Sequence, residues 1–73
     1  MILKRKLLIL GGTTLMIHVV NTAKKLGIVT VVTDVSPNSP AKKYADISYN
    51  ISTGDLDAIE AMARKEQIDG VFT

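Results

Sequence analysis

The chain contains no cysteine, one histidine and three aromatic residues, Tyr44, Tyr49 and Phe72. Without cysteine it has no disulfide and no thiolate metal site, and a reducing compartment is compatible. His18 has no second ligand at metal-binding spacing, so no metal site is expected. Because aromatics are scarce, Ile, Val, Leu and Ala supply most of the 47% hydrophobic content. That composition suits strands covered on both faces. Long apolar runs are missing too. The stretch from Leu7 to Val20 is broken by Gly11-Gly12-Thr13-Thr14 and by His18. It follows Lys4-Arg5-Lys6 as a signal-peptide core would, but no small-x-small cleavage site closes it before Lys24. It is also too short and interrupted to span a bilayer. A soluble, cytoplasmic protein with no membrane partner is the expectation. The net charge is only +2. Acids in the second half balance the bases of Lys4 to Lys6 and Lys24-Lys25, which read as a solvated face and not as a nucleic-acid footprint.

Seventy-three residues allow one domain. A chain of this size buries about 60% of its unfolded surface, enough for a modest core but not for an elaborate active site as well. Lys6 to Leu10 is a short apolar run stopped by two glycines, and it reads as a buried strand. From Thr14 the period changes. Leu15, Val19, Ala23 and Leu26 share a helical face, widened by Met16 and Val20. Thr13 or Thr14 can cap that helix. Lys24 and Lys25 suit its negative end, and Gly27 suits the position after it. Ile28 to Thr33 is a second, β-branched strand, and 34–40, with both prolines, is loop. Residues 41–45 are expected to form one helical turn. Residues 46–51 alternate as a third strand near the sheet edge. Ser52-Thr53-Gly54-Asp55 opens a second helix, with Leu56, Ile59, Met62 and Ala63 inward. Asp57, Glu60, Arg64 and Lys65 face water. Residues 68–73 begin a fourth strand.

Strands alternating with helices predict an α/β fold with right-handed crossovers and a four-stranded parallel sheet of order 3-2-1-4. Ligands of such sheets bind at the carboxyl ends of the strands, where the order reverses. Gly11-Gly12-Thr13-Thr14, Asp34 and Thr73 are all expected at that end. The diglycine turn is the leading candidate site. Glycines let an anion approach the backbone, and the following helix offers free N–H groups. The plainer reading, that strand-to-helix turns favour glycine, carries equal weight. A dinucleotide fingerprint, G-x-G-x-x-G, is met poorly, with Thr13 at its second glycine and Met16 at its third. Asp34 lies where a dinucleotide-binding protein holds the ribose 2′-hydroxyl, and it also begins a turn before Ser36-Pro37. His18 reads as a surface residue. Tyr44 and Tyr49 read as packing residues with hydrated hydroxyls.

Taken together, several segments are similar to the domain that precedes the catalytic domains of ATP-grasp ligases. They are Lys6-Leu7-Leu8-Ile9-Leu10-Gly11-Gly12, Val32-Thr33-Asp34, the loop with Pro37, Pro40 and Ala41, Tyr44-Ala45-Asp46, Thr53-Gly54-Asp55-Leu56 and Ile68-Asp69-Gly70-Val71. The resemblance covers nearly the whole chain. It is nearest to carbamoyl phosphate synthase large-subunit-like and phosphoribosylglycinamide ligase-like proteins. It implies a small Rossmann-like, three-layer domain spanning 1–73, expected to be part of a longer ligase. In that family the first glycine-rich turn helps hold a small-molecule substrate, which implies Gly11, Gly12, Thr13, Thr14 and Leu15 as substrate-binding residues. Some members carry an acidic residue where Thr14 stands. The parent reaction activates a carboxylate as an acyl phosphate, which an amine or similar nucleophile then attacks. ATP and Mg²⁺ are implied for the parent, mainly between the later ATP-grasp domains. Neither is expected to bind this chain tightly, and the chain alone is expected not to catalyse. Asp34 is the candidate cofactor-binding residue if the chain is instead an NAD- or nucleotide-binding module. A non-catalytic, receiver-like interaction domain ranks lower, because Gly-Gly and not an acidic cluster follows the first strand. Open apolar edges also suggest a homo-oligomer.

Overall fold

Two apolar strands pair at the centre of the computed structural model, which describes residues 4–73. The first three residues of the expected 1–73 unit lie outside the described residues. These strands are β1 (Lys6–Leu10) and β2 (Val29–Thr33), parallel and in register from Lys6 opposite Val29 to Leu10 opposite Thr33. β3 (Ile47–Tyr49) adds beside β2, and β4 (Gly70–Phe72) adds beside β1, both parallel. The order is β3-β2-β1-β4, as the alternation of strands and helices predicts.

Successive strand residues point to opposite faces, so each central strand feeds two cores. Ile9 and Val32 lie under helix α1 (Leu15–Lys25), with Val20 and Ala41. Leu8 and Val31 lie on the other face, against Met62 of helix α2 (Leu56–Glu66). The result is three layers, with a 3-10 turn (Pro40–Lys43) beside α1. Among the described residues no helix is long and apolar enough to cross a membrane.

The inward stripes of both helices differ at their ends from those the periodicity predicts, Leu26 past the last turn of α1 being 71% exposed. Leu15 is 83% exposed and Leu56 is 74% exposed, so Met16, Val20 and Ala23 anchor α1 while Met62, Ile59 and Ala63 anchor α2. The first residue of each helix projects into solvent. α1 also lacks the expected hydroxyl cap. Thr14 has helical dihedrals, and no side chain caps it. α2 is capped, the Asp55 carboxylate accepting from the Ala58 amide at 3.2 Å. Gly27, at φ +77°, ends α1 as expected. Gln67, at φ +56°, performs the same left-handed step after α2, where glycine is the usual residue.

β3 and β4 are shorter than predicted, and the aspartate before each strand turns its carboxylate to the inner neighbour. The Asp46 carboxylate accepts from the Thr30 amide at 2.8 Å, and Asp69 accepts from the Lys6 amide at 2.8 Å. Each outer strand thus begins with a carboxylate that occupies an amide near the start of its inner neighbour. On the α2 face the Tyr49 hydroxyl donates to Glu66, which also receives Lys6 Nζ at 3.2 Å. The hydroxyl expected in water is therefore bonded. The two side chains shift each other: this bond holds the Tyr49 phenol above its ordinary pKa and the Glu66 carboxyl below its own.

These two layers make opposite predictions for two leucines. Leu8→Ala should cost about 2–5 kcal/mol in urea unfolding. Leu56→Ala should stay within about 0.5 kcal/mol. A comparable loss for both would contradict the packing described.

Candidate functional site

The carboxyl edge of the sheet is built around the turn that leaves β1. Gly11 has φ +103°, in the region that favours glycine, and its amide donates to the Thr33 carbonyl at 2.9 Å. That bond continues the β1–β2 ladder one residue past the strand. Gly12 is held on both sides. Its amide donates to the Asp34 carboxylate at 2.8 Å, and its carbonyl accepts from the Ala41 amide at 2.9 Å. A Cβ at Gly12 would stand 2.6 Å from the Ser39 Cβ, a distance no side chain tolerates. The loop after β2 is therefore packed directly onto Gly12.

Beyond Gly12 the chain turns outward. Thr13, Thr14 and Leu15 are exposed, and the Met16 and Ile17 amides bond back to the Thr13 and Thr14 carbonyls at 2.9 and 3.1 Å. This arrangement presents the first amides of α1 at the helix's positive end, at the point where the strand order reverses. The two glycine amides, which the sequence marks as anion contacts, are both used inside the protein. What the turn offers a ligand is the backbone of Thr13, Thr14 and Leu15, two threonine hydroxyls and the exposed leucine side chain.

Asp34 joins the turn from the tip of β2. One carboxylate oxygen takes the Gly12 amide and the other takes the Ser36 amide at 3.3 Å. The bond to Ser36, two residues on, is the turn that Asp before Ser-Pro predicts. The bond to Gly12 is long-range and has no sequence signal. The Gly12 amide is the main reason the Asp34 carboxyl sits below its ordinary pKa, with Ser36, Ser39 and the charge of Lys42 adding to it against some desolvation. Thr73 follows β4 at the same edge and is exposed. His18 is also exposed, away from this edge, in a groove with Leu7, Leu26 and Phe72.

Lys42 is the residue that composition and periodicity leave unmarked. It is 9% exposed, and its Nζ donates to the Asp34 carbonyl, the Ser36 carbonyl and Asn50 Oδ1 at 2.8, 2.7 and 2.6 Å. A lysine beside Lys43 in a 3-10 turn reads as a surface residue, and only the folded loop encloses it.

A parallel sheet with a glycine turn at its switch point defines a Rossmann-like α/β domain, and the dinucleotide-binding subclass is a poor fit. Met16, at the third glycine position of that fingerprint, packs into the α1 core. No protein-family model matches the chain. The formate-dependent phosphoribosylglycinamide formyltransferase of Sulfolobus acidocaldarius is 40% identical over 68 residues, covering 93% of this chain and 17% of that protein. Its counterpart in Methanocaldococcus jannaschii is 39% identical over 64 residues, covering 88% of this chain and 16% of that protein. The crystal structure of an N5-carboxyaminoimidazole ribonucleotide synthetase in its ADP complex superposes with a TM-score of 0.82 at 36% identity, over 97% of this chain and 19% of that one. The Thermotoga maritima synthetase gives 0.76 at 33% identity, over 84% of this chain and 17% of that one. By sequence and by fold, the chain is a homologue of the N-terminal, pre-ATP-grasp portion of ATP-grasp enzymes. Within that class its relatives are the formyltransferases and carboxyaminoimidazole synthetases just named, and it spans about one sixth of their length. Among the described residues no group of three or more His, Asp or Glu side chains converges.

Two outcomes test this geometry. Gly12→Ala should destabilise the fold by about 1–3 kcal/mol, as overpacking does. Adding Ser39→Gly, which removes the opposing Cβ, should recover most of that loss in urea unfolding; no recovery would show the clash is elsewhere. The second outcome concerns acid. Asp34 and Asp46 are both held below the ordinary aspartate value, mainly by the Gly12 and Thr30 amides respectively. In acid the unfolded chain then binds more protons than the folded one. The stability these carboxylates add is complete above the ordinary value of about 3.9 and is lost as pH falls through their lower folded values. The urea midpoint should drop between pH 6 and pH 3, and the drop should shrink in Asp34→Ala and Asp46→Ala; an undiminished drop in both would contradict it.

Proposed function

We propose that this chain is the substrate-binding N-terminal domain of an ATP-dependent ligase that joins a carboxylate to an amine or similar nucleophile through an acyl phosphate. The observation that carries the reading is the position of the Gly11–Leu15 turn. It stands at the switch point of a parallel sheet, braced from below through Gly12, in a homologue of the N-terminal portion of ATP-grasp enzymes.

The chain's own part in such a reaction is to bind and orient. The amides of Thr13, Thr14 and Leu15 lie at the positive end of an 11-residue helix and favour a substrate oxygen that carries negative charge. The hydroxyls of Thr13 and Thr14 can donate to such an oxygen or accept from an amine. Holding the nucleophile still removes entropy from the step it takes part in. When ATP and Mg²⁺ are bound in the whole ligase, they supply the phosphoryl group and neutralise its charge.

The remaining ATP-grasp domains are the proposed partners. Leu15, Val35 and Leu56 are large, apolar and exposed; Leu15 and Leu56 open the helices that follow β1 and β3, and Val35 lies in the loop after β2. A second apolar surface, a groove of 340 Å³ lined by Leu7, Val19, Leu26 and Phe72, flanks the open edge of β4. Both surfaces suit burial within a longer chain.

A chimera tests the proposal. In it the chain replaces the matching 68-residue segment of the Sulfolobus acidocaldarius formyltransferase. The chimera should keep ATP-dependent ligase turnover and lose it, through a raised KM, on Thr14→Pro. The isolated chain should release phosphate from ATP no faster than buffer. A folded chimera without turnover, or ATPase activity in the isolated chain that depends on the turn, would overturn the reading.

A further inference from the structure

We propose that Lys42 is the positioning residue of the diglycine turn: its buried ammonium fixes the loop from which Asp34 and Ala41 hold Gly12. The inference rests on reading that turn as the ligand-facing edge. It begins from an energetic demand. A buried ammonium is tolerated only when its protons all find acceptors. Lys42 has three protons to donate, and each has an acceptor at 2.6–2.8 Å. No carboxylate lies within ion-pair distance of it among the described residues. The acceptors are neutral oxygens, two from the backbone after β2 and one from the side chain just past β3. Lys42 thus draws the tips of two strands and the intervening loop to a single point.

Gly12 depends on the same point through two routes. Asp34, whose carbonyl Lys42 holds, places its carboxylate on the Gly12 amide. Ala41, the residue before Lys42, places its amide on the Gly12 carbonyl. Ser36, the second carbonyl held by Lys42, also accepts from Ser39 Oγ at 3.1 Å and sets Ser39 against Gly12. The lysine side chain donates to no residue of the turn, yet the hydrogen bonds and the Ser39 contact that fix Gly12 come from a residue it bonds, from its neighbour in the chain, or from one anchored to the Ser36 carbonyl. Its charge also offsets that of Asp34 just behind a turn proposed to receive an anionic group.

Amide exchange in the ¹⁵N-labelled 73-residue chain separates this role from general stability. In Lys42→Met the Gly12 amide should exchange about tenfold faster relative to Ile9 and Val31 in the same sample, the effect of losing bonds to a charged donor. The Asp34 carboxyl, followed by its side-chain resonance, should titrate at higher pH. Asn50→Ala removes one acceptor and leaves the lysine, so it should fold even where Lys42→Met does not. It should move the Gly12 amide in the same direction by about threefold. A merely structural lysine would speed all three amides equally. That uniform change, or an unmoved Gly12 in Asn50→Ala, would overturn the proposal. The measurement needs no ligand, so its failure would leave the substrate reading to be judged by the chimera alone.

Discussion

At Gly12 two stretches of backbone approach more closely than any side chain would allow, and the carboxyl edge of the molecule is organised around that approach. The Ser39 Cβ occupies the space where a Gly12 Cβ would lie. Because the loop can pack there, Ala41 reaches the Gly12 carbonyl and Asp34 reaches its amide. The turn is then free to send Thr13, Thr14 and Leu15 outward with their position set from behind. A ligand-binding turn is useful only if it does not have to be ordered by the ligand, since ordering backbone costs about 1–2 kcal/mol per residue.

Charge is used at both ends of the sheet, in different ways. At the amino edge, Asp46 and Asp69 take amides that the short outer strands leave over, so carboxylates finish the ladders. At the carboxyl edge, a buried lysine collects carbonyls that no further strand residues satisfy. Each device lets a three-residue strand lie beside a five-residue one without stranding polar groups. The outer strands can be short because side chains complete what their backbones do not reach.

The relatives place these features in context. The chain matches the N-terminal portion of enzymes several times its length, and it superposes on a synthetase of that kind with a TM-score of 0.82. The described residues present a braced turn at the carboxyl edge, helix-end amides and exposed apolar side chains. Lys42, the one buried cation among the described residues, donates to the loop and strand end it holds.

Much of this was legible from residue order alone. The two apolar runs, the glycines that end them and the helical periods between specify a parallel α/β sheet of order 3-2-1-4 and put Gly11-Gly12 at its switch point, because those signals are local and repeat. The positive φ of Gly27, just past α1, is of the same kind. Where the local pattern misled, it did so at element ends. Leu15 and Leu56 obey the helical period but project past the sheet into solvent. The partner of Asp34, the burial of Lys42 and the Ser39 contact that leaves no free room for a side chain at position 12 were decided only by tertiary structure. Each depends on segments brought together from distant parts of the chain, and a side chain's burial is set by what the fold places around it and not by its own neighbours in sequence.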